Sequence, residues 1–190
     1  MKYRKDIYYV EKVLQGDTSA FAHLINKHKE MAFIIANKIV RNKEDAEEIA
    51  QDSFLKAYQA IEKFKKEAKF STWLYRIVYN TAISKTRKKK FEFSAIEDQI
   101  INNYSIDEVV ENVNHLSDEE QKLHIDNAIE KLPENDSLLI NLFYLNESSI
   151  DEISQITGLT NSNVKVKLHR IRKKLYVELQ NSFQTELNVV

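Results

Sequence analysis

The chain has 190 residues, enough for one large domain or two small ones, with 43% hydrophobic and 30% charged residues, a globular balance rather than a disordered one. Two glycines and one proline are too few breakers for a strand-and-turn protein, so a mostly helical chain is expected. The lack of cysteine excludes disulfides and Cys-based zinc sites, and a net charge of −1 argues against a simple DNA-coating protein.

The amino terminus, Met1 to Asp6, is charged and leads into no apolar signal core. No apolar stretch approaches the ~20 residues of a membrane helix, so a cytoplasmic protein without direct membrane insertion is expected. Phe21, Leu24, Ile25, His28, Ala32, Ile35, Ala36 and Ile39 recur at three- and four-residue steps, the buried stripe of a long amphipathic helix. Asn42 is placed to cap a second helix, with Glu44 and Asp45 favourable in its first turn. Its stripe reads Ala46, Ile49 or Ala50, Phe54, Ala57, Ile61 and Phe64. Lys65 to Lys69 interrupts the periodicity as an exposed loop. A third helix starts at about Ser71, with Trp73, Leu74, Ile77, Val78 and Thr81 available for packing; Phe64, Phe70 and Tyr75 are read as core. Three packed helices thus make a first domain, residues 1–90.

Residues 91–116 mix Asn, acids and isolated Ile and Val, and read as a flexible linker with a short helix near Ile106–Val113. Basic residues crowd at Lys85–Lys90 and Lys165–Lys174, whereas from Glu92 to Glu120 every formally charged residue is acidic. Two basic patches flanking an acidic spacer suggest two separate nucleic-acid contacts.

A second domain spans 117–190. Ser117 and Glu120 have capping-box spacing for a helix that ends near Leu132-Pro133, and Leu138 to Leu145 is a buried helix. Ser149 and Glu152 repeat the capping box, with Ile150, Ile153 and Ile156 on the inner side. Gly158 stands where the chain must turn sharply, Leu159 plugs the corner and Thr160 caps the next helix. In that helix Val164, Leu168, Ile171 and Leu175 form the inner stripe. The other faces carry Asn163, Lys165, Lys167, His169, Arg170, Arg172, Lys173 and Lys174 and no acid. A short helix, a Gly turn and a basic helix make the plan of a DNA-binding helix-turn-helix, whose second helix enters the major groove. A solvated helix with a basic face is the plainer alternative, but the conjunction of cap, corner and inner stripe favours DNA.

These residues resemble the carboxy-terminal domain of extracytoplasmic-function (ECF) sigma factors of bacterial RNA polymerase. The resemblance extends to Gly16–Phe21, the opening motif; to Asp45–Leu55, the polymerase-docking helix; and to Phe70–Asn80, the promoter-melting segment. It implies an all-α protein of two small helical domains joined by an acidic flexible linker, the second holding the helix-turn-helix. The implied role is to bind core RNA polymerase and direct it to promoter DNA. An anti-sigma factor is an expected partner; no cofactor, small-molecule substrate or catalytic residue is implied. By the same resemblance Asp45, Glu48, Gln51 and Asp52 contact the polymerase clamp helices, and the loop of Lys65, Lys66, Lys69 and Ser71 captures a base flipped from the minus-ten element. Asn80 recognises promoter DNA, while Arg76, Arg87 and Lys88 grip phosphates. Asn163, Lys165, Val166, Lys167, His169 and Arg170 read or flank the minus-thirty-five element. Ser84, Ser137 and Val166 depart from the common family pattern; Val166 implies a different promoter preference through a thymine methyl.

An enzyme is disfavoured, because no phosphate loop or Ser/His/Asp arrangement occurs and the five histidines share no metal-site spacing. The main competing reading is a conventional helix-turn-helix regulator that binds operator DNA without core polymerase.

Overall fold

A computed structural model of the chain describes residues 2–86 and 117–187. Among these residues the secondary structure is entirely helical: α1 (Lys2–Leu14), α2 (Phe21–Val40), α3 (Lys43–Gln59) and α4 (Phe70–Lys85) precede the undescribed stretch. After it come α5 (Asp118–Lys131), α6 (Glu134–Tyr144), α7 (Ile150–Thr157) and α8 (Asn161–Leu187). Single 3-10 turns lie at Thr18–Ala20 and Ile61–Lys63. The whole of the expected linker, 91–116, with its short helix, and the site residues Arg87 and Lys88 lie outside the described residues.

The boundaries follow local chemistry. Asn42 caps α3 by accepting from the Asp45 amide at 2.8 Å. Ser117 and Ser149 each form a reciprocal capping box, with Glu120 and Glu152. Gly158 takes the left-handed conformation at φ 76°, which ends α7 without the penalty a Cβ would incur.

The first half contains four helices rather than the three expected. The additional one, α1, inserts Val10 and Val13 and buries the carboxylate of Asp6. Its buried positions Asp6, Val10 and Val13 fall at helical steps, but one of them is a carboxylate, which does not read as part of an apolar stripe. Nδ1 of buried His28 lies 2.9 Å from the Tyr75 hydroxyl and Nε2 lies 3.2 Å from Asp6, while Lys27 also reaches Asp6. Burial opposes the charge of Asp6, yet the hydrogen bonds from His28 and Lys27 prevail and hold its carboxyl below the usual range. This network joins α1, α2 and α4, and pairing is what makes a buried carboxylate tolerable.

The stripes of α2 and α3 are buried as expected, with both Ile49 and Ala50 inside and Ile25 half-buried. Helix α4 starts one residue earlier than expected, and its expected packing positions are buried only in part. Its buried line is Phe70, Leu74, Tyr75, Val78, Tyr79 and Ala82, while Trp73, Ile77 and Thr81 are only half-buried. Aromatic side chains dictate this choice: Phe70 and Tyr75 remove far more apolar surface than Thr81 would.

In the second half α6 buries Leu138, Leu139, Ile140 and Leu142, but Tyr144 and Leu145 are exposed, so the apolar run outlasts the buried segment. Helices α6, α7 and α8 pack on one another, and α5 lies along α8. The two halves also pack together: α4 lies against α7 and α2 against α6. Buried residues from Val10 to Ile171 form one continuous apolar cluster across both.

Candidate nucleic-acid interface

Helix α8 presents the simpler surface. Val164, Leu168 and Ile171 are buried and Leu175 half-buried, which fixes the rotation of the helix and turns the polar positions outward. Thr160 accepts from the Asn163 amide at 3.3 Å, and Ser154 donates to the Leu159 carbonyl at 2.5 Å across the turn. Asn163, Lys165, Val166 and His169 are exposed, Val166 by 48%. Lys167 and Arg170 are half-buried, and burial lowers the pKa of the Lys167 ammonium. Farther along, Lys174 pairs with Asp136 at 2.7 Å and the Arg172 guanidinium lies over Phe143 and Tyr144, so these two cations serve packing as well as charge.

The second surface is a cleft of about 310 Å³ beside the 64–69 loop. Phe64, Lys65, Lys66, Thr72, Trp73 and Arg76 are among its lining residues. The Trp73 ring packs 5.3 Å from that of Phe64 and 5.8 Å from that of Phe70, so Trp73 belongs to the core margin and to the cleft together. Lys65, Lys66, Lys69 and Arg76 are exposed and Ser71 half-buried. Lys66 holds a left-handed backbone at φ 61°, strained for a residue with a Cβ, and its ammonium pairs with Glu11 of α1 at 2.7 Å. The unanticipated helix α1 thereby anchors the loop. Exposed Asn80 stands ten residues beyond Phe70, about 15 Å along the axis of α4, so it extends the surface rather than joining the cleft.

The third surface is the outer face of α3, where Glu48, Gln51 and Asp52 are exposed and Asp45 half-buried. Leu55, exposed by 56%, continues this face, an apolar member that the acidic pattern did not reveal. Lys85 lies 2.7 Å from Glu48 and 3.1 Å from Asp45, and those hydrogen bonds raise its pKa. The first residue of the basic run therefore pairs with two acids on α3.

Sequence reasoning also missed Glu152, which it read only as a cap. Its carboxylate lies 2.9 Å from Lys69 and 3.4 Å from the Thr72 hydroxyl, and Gln155 of the same helix lines the cleft.

Comparison with known proteins puts these surfaces in context. Residues 24–92 match sigma-70 region 2, and residues 122–175 match sigma-70 region 4. The ECF RNA polymerase sigma factor SigW of Bacillus subtilis is 32% identical over 180 residues, covering 90% of this chain and 95% of SigW. The chain belongs to the ECF sigma factor family. A second relative, the ECF RNA polymerase sigma-E factor of Haemophilus influenzae, is 32% identical over 181 residues, covering 90% of this chain and 93% of the relative. The fold is also that of CnrH, solved in complex with the cytosolic domain of CnrY (TM-score 0.62, 20% identity, 93% of this chain and 98% of CnrH). It is shared by the sigma factor RpoE, solved with the anti-sigma factor NepR from Bartonella quintana (TM-score 0.58, 20% identity, 84% of this chain and 96% of RpoE). As an ECF sigma factor the chain directs transcription initiation, and the free-standing operator-binding regulator is the disfavoured reading. Sigma factors are not enzymes in general. No helix among the described residues is long and apolar enough to cross a membrane.

Proposed function

We propose that the three surfaces divide the work of initiation as follows. Asp45, Glu48, Gln51 and Asp52, with exposed Leu55 beside them, dock α3 on the clamp helices of core polymerase. The cleft lined by Lys65 and Lys66, with Lys69 and Ser71 at the adjoining start of α4, receives a base flipped from the minus-ten non-template strand. Unstacking that base costs a few kcal/mol, which an aromatic wall and nearby cations offset. Arg76, with Arg87 and Lys88 beyond the described residues, neutralises phosphates, and Asn80 reads the adjoining promoter bases. Asn163, Lys165, Val166, Lys167, His169 and Arg170 present α8 to the minus-thirty-five major groove.

The observation that carries this reading is the pairing, on one chain, of a cationic cleft bordered by Trp73 with an acid-free helix face on a fully packed helix-turn-helix. A single-site DNA binder needs only the latter. Residues 1–90 form the minus-ten domain in this reading, 91–116 the connector and 117–190 the minus-thirty-five domain. The chain works in the cytoplasm with core polymerase and promoter DNA. Because RpoE was solved with an anti-sigma factor, the same class of partner is inferred here.

In vitro run-off transcription from genomic fragments, with bacterial core polymerase and with or without this protein, tests the assignment. Defined starts that depend on the protein, and that weaken on Asn80→Ala and on Lys165→Ala at different promoter elements, are expected. Protein-dependent starts indifferent to both substitutions would overturn the assignment of these residues.

A further inference from the structure

Helix α1 precedes the residues matched to sigma-70 region 2, so that match assigns it no part in initiation. The helix is nonetheless firmly seated. Val10 and Val13 are buried, and buried Asp6 meets His28 and Lys27 of α2, with His28 carrying the link on to Tyr75 of α4. The same helix packs against the 3-10 turn at Ile61–Lys63, which leads into the 64–69 loop. From that seat Glu11 meets the Lys66 ammonium at 2.7 Å. Lys66 lines the cleft, and its backbone stands at φ 61°, an angle that a residue with a Cβ keeps only where its surroundings fix it. An ammonium already bound to a carboxylate is poorly placed to grip a phosphate, because the acid repels the incoming anion. It is well placed to tie down a backbone.

We propose that Glu11 is a positioning residue for minus-ten recognition: it acts through Lys66, whose ammonium anchors the loop and does not contact DNA. This role rests on the reading of the 65–71 segment as the minus-ten site and deepens it. Attraction of the strand then falls to neighbouring Lys65, which also lines the cleft. Both partners of the pair are exposed, so the anchor has the strength of a surface ion pair and its effect on the strand is of that size. The two possible roles of Lys66 differ in sign. If Lys66 gripped a phosphate, Glu11 would compete with the strand, and removing its charge would tighten binding. If Lys66 is an anchor, removing either partner loosens the loop and weakens binding.

The test uses holoenzyme assembled from bacterial core polymerase and this protein. Its ligand is a short fluorescent non-template strand carrying the minus-ten element of a start mapped by run-off. Glu11→Gln and Lys66→Ala should each weaken strand binding about two- to fivefold, and the double variant should be no weaker than either. Lys66→Gly, which holds a positive φ unaided, should bind more tightly than Lys66→Ala. The salt dependence should keep its slope in Lys66→Ala, where loss of a phosphate contact would lower it by about 0.7. Affinity for core polymerase and the unfolding midpoint of Glu11→Gln should match wild type, since the substitution alters neither the α3 face nor the core. Tighter or unchanged binding by Glu11→Gln, or additive losses in the double variant, would overturn the positioning role. Lys65→Ala separates that role from the reading beneath it. If Lys65→Ala weakens the strand and Glu11→Gln does not, positioning alone falls. If Lys65→Ala, Lys66→Ala and Glu11→Gln all leave binding unchanged, the reading of the 65–71 segment falls, and positioning with it.

Discussion

Helix α8 and the 65–71 segment both carry lysines proposed to meet DNA, but the molecule builds the two surfaces in opposite ways. Helix α8 is set by contacts within its own half, and its outer face is open. The loop is set by distant partners: Glu11 from α1, the aromatic cluster around Phe70, and Glu152 from a residue 83 positions away. A surface made from local periodicity is available as soon as its helix packs. The difference separates a face fixed within its own half from one fixed by contacts between elements distant in the chain.

The sharpest way to break this contrast is in the core. Leu74 is fully buried in α4, so Leu74→Ala should cost about 2–5 kcal/mol in denaturant unfolding. Val166 on the open face should tolerate Ala within about 0.5 kcal/mol in the same assay; equal losses would show that the two surfaces are not built differently. Next in size is the network beneath the loop. Asp6→Asn removes a buried charge paired to His28 and Lys27 and should cost about 1–3 kcal/mol at neutral pH. The folded carboxyl titrates below its ordinary value of 3.8, so its contribution is complete above that pH and lost as pH falls through the lower folded value. Unfolding curves of wild type and variant should therefore converge in strong acid.

On the open side, Lys165→Ala should leave stability unchanged and weaken minus-thirty-five-dependent starts about tenfold, of the order of 1–3 kcal/mol for a base-edge contact. Run-off from promoters with altered minus-thirty-five elements measures it. A smaller change is expected from Val166→Ser, which removes an apolar group suited to a thymine methyl: a loss of about threefold, confined to promoters bearing that thymine. The smallest effect belongs to Lys85→Ala. Lys85 is bound to Asp45 and Glu48, so its loss should leave folding intact and slightly raise affinity for core polymerase at low salt. A large loss of promoter binding instead would return Lys85 to the phosphate-gripping run.

Much of the second half was legible from residue order alone. Two capping boxes, a glycine at positive φ and an inner stripe at helical spacing each act within a few residues, so the chain announces them directly. The stripes of α2 and α3 were readable for the same reason. The full buried line of α4 was legible only in part: Phe70, Leu74, Tyr75 and Val78 read as packing residues and are buried, but only packing against α2 and α3 adds Tyr79 and Ala82 and leaves Ile77 and Thr81 half-buried. The role of α1 was not legible: its carboxylate at Asp6 reads as a surface charge until His28 is brought to it. Most of all, the sequence nominated the side chains proposed to meet nucleic acid and left open which distant groups hold them. Glu152 serves the cap through a residue three positions away and Lys69 through one more than eighty away. The first relation is dictated by helix geometry, whereas the second exists only because α4 and α7 share a buried apolar contact.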